Sequence, residues 1–283
     1  MSTSAYINTL RGPVATLDNY INTLQSLQDE GGQLSAPVQT IISNWQTLTA
    51  VTTPIDPSEA LAEAVTEGKK LTQTQLKTLW DSSRLTTIKD TNNEIMASTA
   101  RAVLPTLKAT YLEDNATHNY EVAAHRFNEV ATQFTKAVTQ VSPDMTADEA
   151  LHLTKQQQSA YLEQALLAAQ LEQNLVVLAH AATLAGTPAS TTQELIALTT
   201  NWSQAHRRRV YDAWDTQGRT GRWAALIHAG ATIEAPTTLS AVPTFQDLAP
   251  VEKKQVQGNV GYRIVEFDPE DEDYKKRTKV AAK

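Results

Sequence analysis

The apolar positions of the first segment, Ile7, Leu10, Val14, Leu17, Ile21 and Leu24, are spaced alternately three and four residues apart. This is the a/d pattern of a heptad seam. It predicts a helix that lays a narrow apolar stripe along another helix. The pentapeptide Tyr-Ile-Asn-Thr-Leu stands at 6–10 and again at 20–24, an offset of two heptads, so both copies project to one side. The pattern leaves open whether the facing helix belongs to the same chain or to a second one. Gly12-Pro13 interrupts the stripe: an interior proline costs roughly 3 kcal/mol and bends a helix, unless Pro13 opens a new one. Gly31-Gly32 predicts the stop.

Similar reasoning extends along the chain. Residues 36–49 read as a second helix after Pro37, and 52–57 as a proline-bearing linker. Residues 58–67 read as a helix with Ser58 as N-cap and Gly68 as stop, and Thr72 with Gln75 as a further start. Leu85, Ile88, Ile95, Met96, Ala100, Val103 and Leu107 make one long apolar stripe, with a kink expected at Pro105. Tyr120, Ala124, Phe127, Val130, Phe134 and Val138 make another, broken at Ser142-Pro143. Thr146 with Glu149 spells a capping box, two reciprocal side-chain-to-backbone bonds that fix a helix start. The Ala/Leu-rich stretch after it, about 147–185, is expected to be the most buried helix, ended at Gly186-Thr187-Pro188. Thr191 with Glu194 spells a second box, opening a helix to about Gln217. A shorter helix is expected at 222–229, stopped by Gly230.

Beyond Gly230 the periodicity stops. Pro236, Pro243 and Pro250 punctuate 235–250, and only 261–267 (GYRIVEF) alternates like a strand. A lone strand is marginal in water and needs a partner edge, such as another chain's. The predicted fold is mainly α: a multi-helix, bundle-like body at 1–230 (an N-terminal segment at 1–56 and a main bundle at 57–230), with an extended, mostly irregular C-terminal arm at 231–283 containing one short strand.

Composition reinforces the helical reading. Glycine is scarce at 10 residues and aromatics make up 6%, too few of either for a turn-rich sandwich or barrel. Charge is 19%, below the usual quarter, and neutral polar residues replace it: 38 Thr and 21 Gln. The first fifty residues carry only Arg11 against Asp18, Asp29 and Glu30. A net charge of −7 argues against a general nucleic-acid coat. The absence of cysteine excludes disulfides, zinc–thiolate sites and thiol nucleophiles. No basic segment followed by an apolar run opens the chain, so no secretory leader is expected. The longest uncharged stretches are too rich in Thr, Ser, Gln and Pro to predict a membrane span.

Three constellations could carry chemistry. Asp114, His118, Glu121 and His125 fall at i, i+4, i+7 and i+11, all metal-ligand types on one helical face. Glu149-Ala-Leu-His152 matches the Glu-x-x-His of ferritin-like di-iron bundles. The first stripe, however, projects opposite Tyr120, Phe127 and Phe134 and so toward solvent. Only one Glu-x-x-His pair exists, and Glu149 is claimed by its capping box. Both sets are read as polar side chains facing solvent, with no metal and no cofactor expected.

His206-Arg-Arg-Arg209, with Arg219 and Arg222, is the densest positive cluster, set among Trp202, Tyr211, Trp214 and Trp223. Arginine with aromatic surface composes an interface hot spot, and it also clamps phosphates and stacks bases. The interface reading is preferred, on Trp202, Arg208, Arg209, Trp214 and Trp223, because consecutive arginines on a helix diverge by about 100°. The third constellation is the arm, where acidic 266–273 precedes basic 275–279 and Tyr262, Ile264 and Phe267 supply apolar contacts. No phosphate loop, dinucleotide fingerprint or nucleophile elbow is present.

The segments YINTLRGPVATLDNYINTL and GYRIVEFDPEDEDYKKRTKVAAK, in a cysteine-free chain rich in Thr, Gln and Ala, resemble structural virion proteins of tailed bacteriophages. The resemblance implies a non-enzymatic, capsid-associated, minor capsid or connector component, and the contacts expected with neighbouring subunits are the N-terminal seam of Ile7, Leu10, Val14, Leu17, Ile21 and Leu24 and the C-terminal arm. Such a component assembles in the host cytoplasm into the virion, with further copies of itself or other virion proteins as partners. Two alternatives stand beside it: a ferritin-like metal-binding bundle, and a nucleic-acid-contacting adaptor that uses 202–223.

Overall fold

The structure, a computed structural model, describes residues 3–52, 89–203, 205–243, 249–258 and 261–269. The expected helix at 58–67, the start at Thr72, the positions Leu85 and Ile88, and the basic run at 275–279 lie outside these residues. Among the described residues the protein is mainly helical, with nine α-helices, and short strands occur only beyond residue 199. The chain divides into two compact units, Met1–Ala116 and Thr117–Lys283. This division differs from the body at 1–230 and arm at 231–283 expected from sequence.

In the first unit, α1 (Thr3–Asp29) runs through Pro13 as one helix. Gly31 ends it in the left-handed region, and Gly32 N–H donates to the Leu27 carbonyl at 2.9 Å, closing a Schellman motif. A Cβ on Gly32 would fall 2.8 Å from that carbonyl oxygen, so this position excludes side chains. α2 (Ala36–Thr52) is opened by Ser35, whose hydroxyl donates to Asp114 at 2.7 Å and whose N–H donates to Asn115 Oδ1 at 3.1 Å. Both helices pack on α3 (Lys89–Asp114). Leu17, Ile21 and Leu24 are buried with Val38, Ile42, Trp45, Ala100, Leu107 and Tyr111. The Trp45 indole N–H donates to Asp18 Oδ1 at 2.7 Å, tying α2 to α1.

The heptad seam is therefore core of its own unit at Leu17, Ile21 and Leu24, and Val14 is half-buried. This corrects its reading as an intermolecular contact at those positions; the side chains of Ile7 and Leu10 lie outside the described residues. On α3 the inward face is Ala97, Ala100, Leu107 and Tyr111. Ile95 is exposed and Met96 and Val103 are half-buried, so the expected stripe was rotated by one residue at its start.

In the second unit, α4 (Ala116–Gln140) buries Tyr120, Ala124, Phe127, Phe134 and Val138 as the spacing predicts. The stretch at 147–185 is not one helix. A single turn, α5 (Ala147–Ala150), is capped by Thr146 and Glu149. A further box, Thr154 with Gln157, then opens α6 (Lys155–Leu184). Gly186 closes α6 with a positive φ of 87°, and Thr187 N–H donates back to the Ala182 carbonyl at 2.9 Å.

The Thr191–Glu194 box opens α7 (Thr192–Thr199), which stops far short of Gln217. Thr200 turns extended and enters β1 (Thr200–Asn201), which pairs antiparallel with β2 (Thr232–Ile233). Two β-branched threonines in sequence give up the helix readily once such pairing is on offer. α8 (Arg207–Trp214) and α9 (Gly221–His228) follow β1, and Gly230 ends α9 as expected.

Residues 231–236 belong to the second unit's core. Ala231, Ile233 and Ala235 are buried. Asn128 grips the Ala235 peptide from both sides, accepting its N–H at 2.7 Å and donating to its carbonyl at 2.9 Å. The Tyr120 hydroxyl donates to the Pro236 carbonyl at 2.9 Å, and burial pushes its pKa up to about 12. A 3-10 turn (Leu239–Ala241) precedes a hairpin of β3 (Glu252–Gly258) and β4 (Gly261–Phe267), registered from Glu252 opposite Phe267 to Gly258 opposite Gly261. The expected strand at 261–267 thus has its partner in the same chain. The partner, EKKQVQG, was hidden by its charge and glutamine.

The capping boxes carry a pH signature. Backbone N–H donation from Thr146, and then its hydroxyl, holds the Glu149 carboxyl below its usual 4.5. The Ser190 and Thr191 N–H groups do the same for Glu194. A carboxyl lowered on folding contributes stability above its unfolded-state pKa, and that contribution is lost as pH falls through the folded value. Glu149→Gln with Glu194→Gln is therefore expected to lower the denaturant midpoint at pH 7. The deficit should shrink as pH drops below 4.5; a deficit of constant size would contradict the assignment.

Candidate functional site

The arginine–tryptophan region folds inward. Trp223 is fully buried and Trp214 is 3% exposed. Trp223 meets Phe127 edge-on, with centroids 5.7 Å apart at 63°, and meets Trp214 at 6.0 Å and 73°. These edge-to-face geometries suit the ring quadrupoles. Both tryptophans are therefore core anchors of the second unit, which corrects their reading as interface anchors. Helical spacing does not show which face of so short a helix is covered. Trp202 is half-buried between β1 and α8.

The arginines spend their donors within the unit. Arg219 stacks on the Tyr161 ring at 3.7 Å. Its guanidinium donates to the carbonyls of Tyr161 at 2.5 Å and Pro143 at 3.3 Å, and to Gln164 Oε1 at 2.7 Å. Gln164 is itself buried and donates to the carbonyls of Ala137 at 3.0 Å and Val141 at 2.7 Å. Two side chains in series thus add hydrogen bonds at the C-terminal end of α4, where few carbonyls have helical partners. Arg222 lies over the Trp214 ring at 4.5 Å and pairs with Glu172 at 3.0 Å. Cation–π contact of this kind belongs to folded packing as readily as to recognition.

Arg208 does something different. Its Nε donates to the carboxylate of Asp268, which is fully buried, and its Nη2 donates to the Ala249 carbonyl at 2.6 Å. Ala249 lies just before β3 and Asp268 just after β4, so one guanidinium holds both roots of the hairpin on α8. Arg209 is half-buried in the same helix and has partners of its own. Arg208, Arg219 and Arg222 are thereby engaged, and 202–223 does not present them as an open basic patch for phosphates.

Lys253, Gln255 and Gln257 face solvent, and Ile264 is 71% exposed. Phe267 is half-buried near the root, with Lys254 Nζ 3.9 Å over its ring, and the Tyr262 side chain lies outside the described residues.

The metal-ligand stripe does not assemble. Asp114 ends α3 in the first unit and accepts from Ser35, while His118, Glu121 and His125 are exposed on α4 in the second. His125 Nδ1 lies 3.5 Å from Glu129. Among the described residues, no three His, Asp or Glu side chains come together as a metal-holding group. No helix among them is long and apolar enough to cross a membrane.

One surface escaped the sequence reading. Leu162 and Leu166, on the outer side of α6, are 70% and 61% exposed. Leu166 borders a groove of about 380 Å³ between α4 and α6, lined among others by Lys136, Ala137, Ala160, Glu163 and Leu167. The signal in the sequence is an Ala/Leu-rich helix with leucines off its buried face, a composition that reads as depth of burial.

No protein family, curated protein or solved structure matches the chain.

Proposed function

We propose that this chain is a non-enzymatic structural assembly protein, a virion component of a tailed phage in a capsid-associated, minor capsid or connector role. The observation that carries the reading is the C-terminal hairpin. A two-stranded ribbon is marginal in water and leaves its outer edges unpaired, yet here its roots are fixed by a buried ion pair while Lys253, Gln255, Gln257 and Ile264 face solvent. A rigidly rooted, solvent-facing ribbon suits strand addition to a neighbouring subunit, where main-chain bonds supply affinity. The compositional resemblance to tailed-phage structural proteins points the same way.

The test keeps the clamp and removes the ribbon. Residues 252–267 are replaced by a Gly-Ser chain of equal length, leaving Ala249, Arg208 and Asp268 in place. Light scattering is expected to show that the wild-type chain forms larger species as concentration rises and that the replaced chain loses the largest of them. Identical mass distributions would remove the hairpin from assembly.

A further inference from the structure

The register of the hairpin shows which of its backbone groups are spent inside it. Gly258 pairs with Gly261, with two residues between them. Those two are adjacent in the chain and cannot bond each other as a further rung, so Gly258–Gly261 is a hydrogen-bonded pair. Hydrogen-bonded and open pairs alternate along an antiparallel ladder. Arg263, Val265 and Phe267 therefore spend their N–H and C=O groups on Val256, Lys254 and Glu252. Tyr262, Ile264 and Glu266 direct theirs away from β3, and Lys253, Gln255 and Gln257 direct theirs away from β4. Among the described residues no third strand joins this sheet. The two outer edges differ. Lysine and glutamine blunt the β3 edge, a common protection of edge strands. The β4 sequence, GYRIVEF, is rich in strand-forming β-branched and aromatic residues, and Ile264 on it is 71% exposed.

We propose that the β4 edge pairs with the β4 edge of a second copy, antiparallel about a twofold axis at Ile264, to make a four-stranded sheet. This pairing presupposes the strand-addition reading and names its edge, partner and register. The clamp sets the direction. Asp268 is buried on Arg208, so each hairpin carries its folded unit at the root end. Copies stacked in one direction would set two folded units beside strands about 4.8 Å apart, with no room for either. An antiparallel copy sends the second unit to the opposite end. The ladder then sets the register. In a twofold antiparallel pair one residue stands opposite itself, and here it must be one whose groups point outward. Centring on Tyr262 carries the pairing past the tip and leaves Glu266 unpaired. Centring on Glu266 opposes like charges and leaves Tyr262 unpaired. Centring on Ile264 uses all three, with Tyr262 and Glu266 of each copy opposite Glu266 and Tyr262 of the other. That register also covers the exposed Ile264 with its own counterpart, an apolar cross-strand pair, and sets Arg263 opposite Val265, so no like charges oppose each other directly.

Proline substitution tests the edge and cysteine pairing tests the register. Wild-type chain should show twice the 31.0 kDa chain mass at micromolar concentration. Ile264→Pro removes an N–H that the hairpin does not use, so the ribbon should persist while the mass returns to 31.0 kDa. Gln255→Pro makes the same change on the β3 edge, directly across from Ile264, and should leave the dimer intact. The chain has no cysteine, so Arg263→Cys and Val265→Cys each introduce a single thiol. In the proposed register position 263 of one copy faces position 265 of the other as an open pair. Their Cα atoms are then about 4.5 Å apart, within reach of a disulfide. Identical positions lie two places out of register, about 7–8 Å apart and beyond that reach. Mild oxidation should therefore link an equimolar mixture of the two variants into covalent dimers and leave each variant alone largely unlinked.

A mixture that links no better than its components overturns the proposal. So does a dimer that survives Ile264→Pro, or one that Gln255→Pro abolishes equally. A wild-type chain that stays at 31.0 kDa overturns it as well and gives the ribbon to a strand of a different protein. Multimers that survive Ile264→Pro but vanish when residues 252–267 are replaced overturn the β4 contact and leave the strand-addition reading standing. Multimers that survive both changes remove the two together.

Discussion

Trp223→Ala is expected to destabilise the second unit by about 3–5 kcal/mol, the range for removing a buried aromatic side chain from a packed core. Trp223 is fully buried and sits between Phe127 of α4 and Trp214 of α8, so its loss leaves a cavity bordered by two rigid rings. Rings cannot collapse into such a space without leaving their edge-to-face geometry, which places the effect toward the upper end. Against a total stability of roughly 5–15 kcal/mol for a domain, this is a large share. Trp223→Phe should cost less than half as much. It keeps a ring in place, and the indole N–H that it removes has no hydrogen-bond partner in the structure. Urea midpoints followed by far-ultraviolet circular dichroism decide the matter. Equal losses for the two variants would mean that the cluster is loosely packed.

The second large effect is at the hairpin root. Arg208→Met leaves the buried Asp268 carboxylate without its guanidinium, and breaking one side of a buried pair typically costs about 3–5 kcal/mol. The strain has an outlet. The segment bearing Asp268 can detach and hydrate its carboxylate, so part of the cost is expected as local opening. Trypsin cleavage at Lys253 and Lys254 should then accelerate before global unfolding begins. Adding Asp268→Leu should recover most of the loss, because two apolar groups of similar size need no compensation. A double-mutant cycle over Arg208 and Asp268 measures the coupling directly. Additive losses would show that the pair does not hold the hairpin.

These two sites also mark how far the sequence could be read. Helix ends were legible where the signal is local. The Thr146–Glu149 and Thr191–Glu194 boxes and the glycines at 31, 186 and 230 do what their residue types require, because a cap is satisfied within a few residues of itself. The Thr154–Gln157 box is the same signal, hidden because apolar positions continue through Leu151 and Leu153. The end of α7 at Thr199 was not legible, since it depends on pairing with Thr232–Ile233 more than thirty residues away. Burial was legible for the regular stripe of α4, where Tyr120, Phe127 and Phe134 share one face. It was not legible for Trp214 and Trp223, which sit on helices of two turns where residue type suggests both a core and an interface.

The first seam and the outer side of α6 make the same point in opposite directions. Leu17, Ile21 and Leu24 look like a contact for another molecule and are covered by their own unit. Leu162, Leu166 and Val176 look like core and are left in water. A heptad pattern states that a helix will be met along one line. Only packing states which of the available surfaces meets it.

The most direct measurement is the light-scattering mass of the purified wild-type chain over a hundredfold range of concentration. Assembly through its exposed faces predicts a mass of at least twice 31.0 kDa that rises with concentration. A mass fixed at 31.0 kDa across the whole range would contradict it.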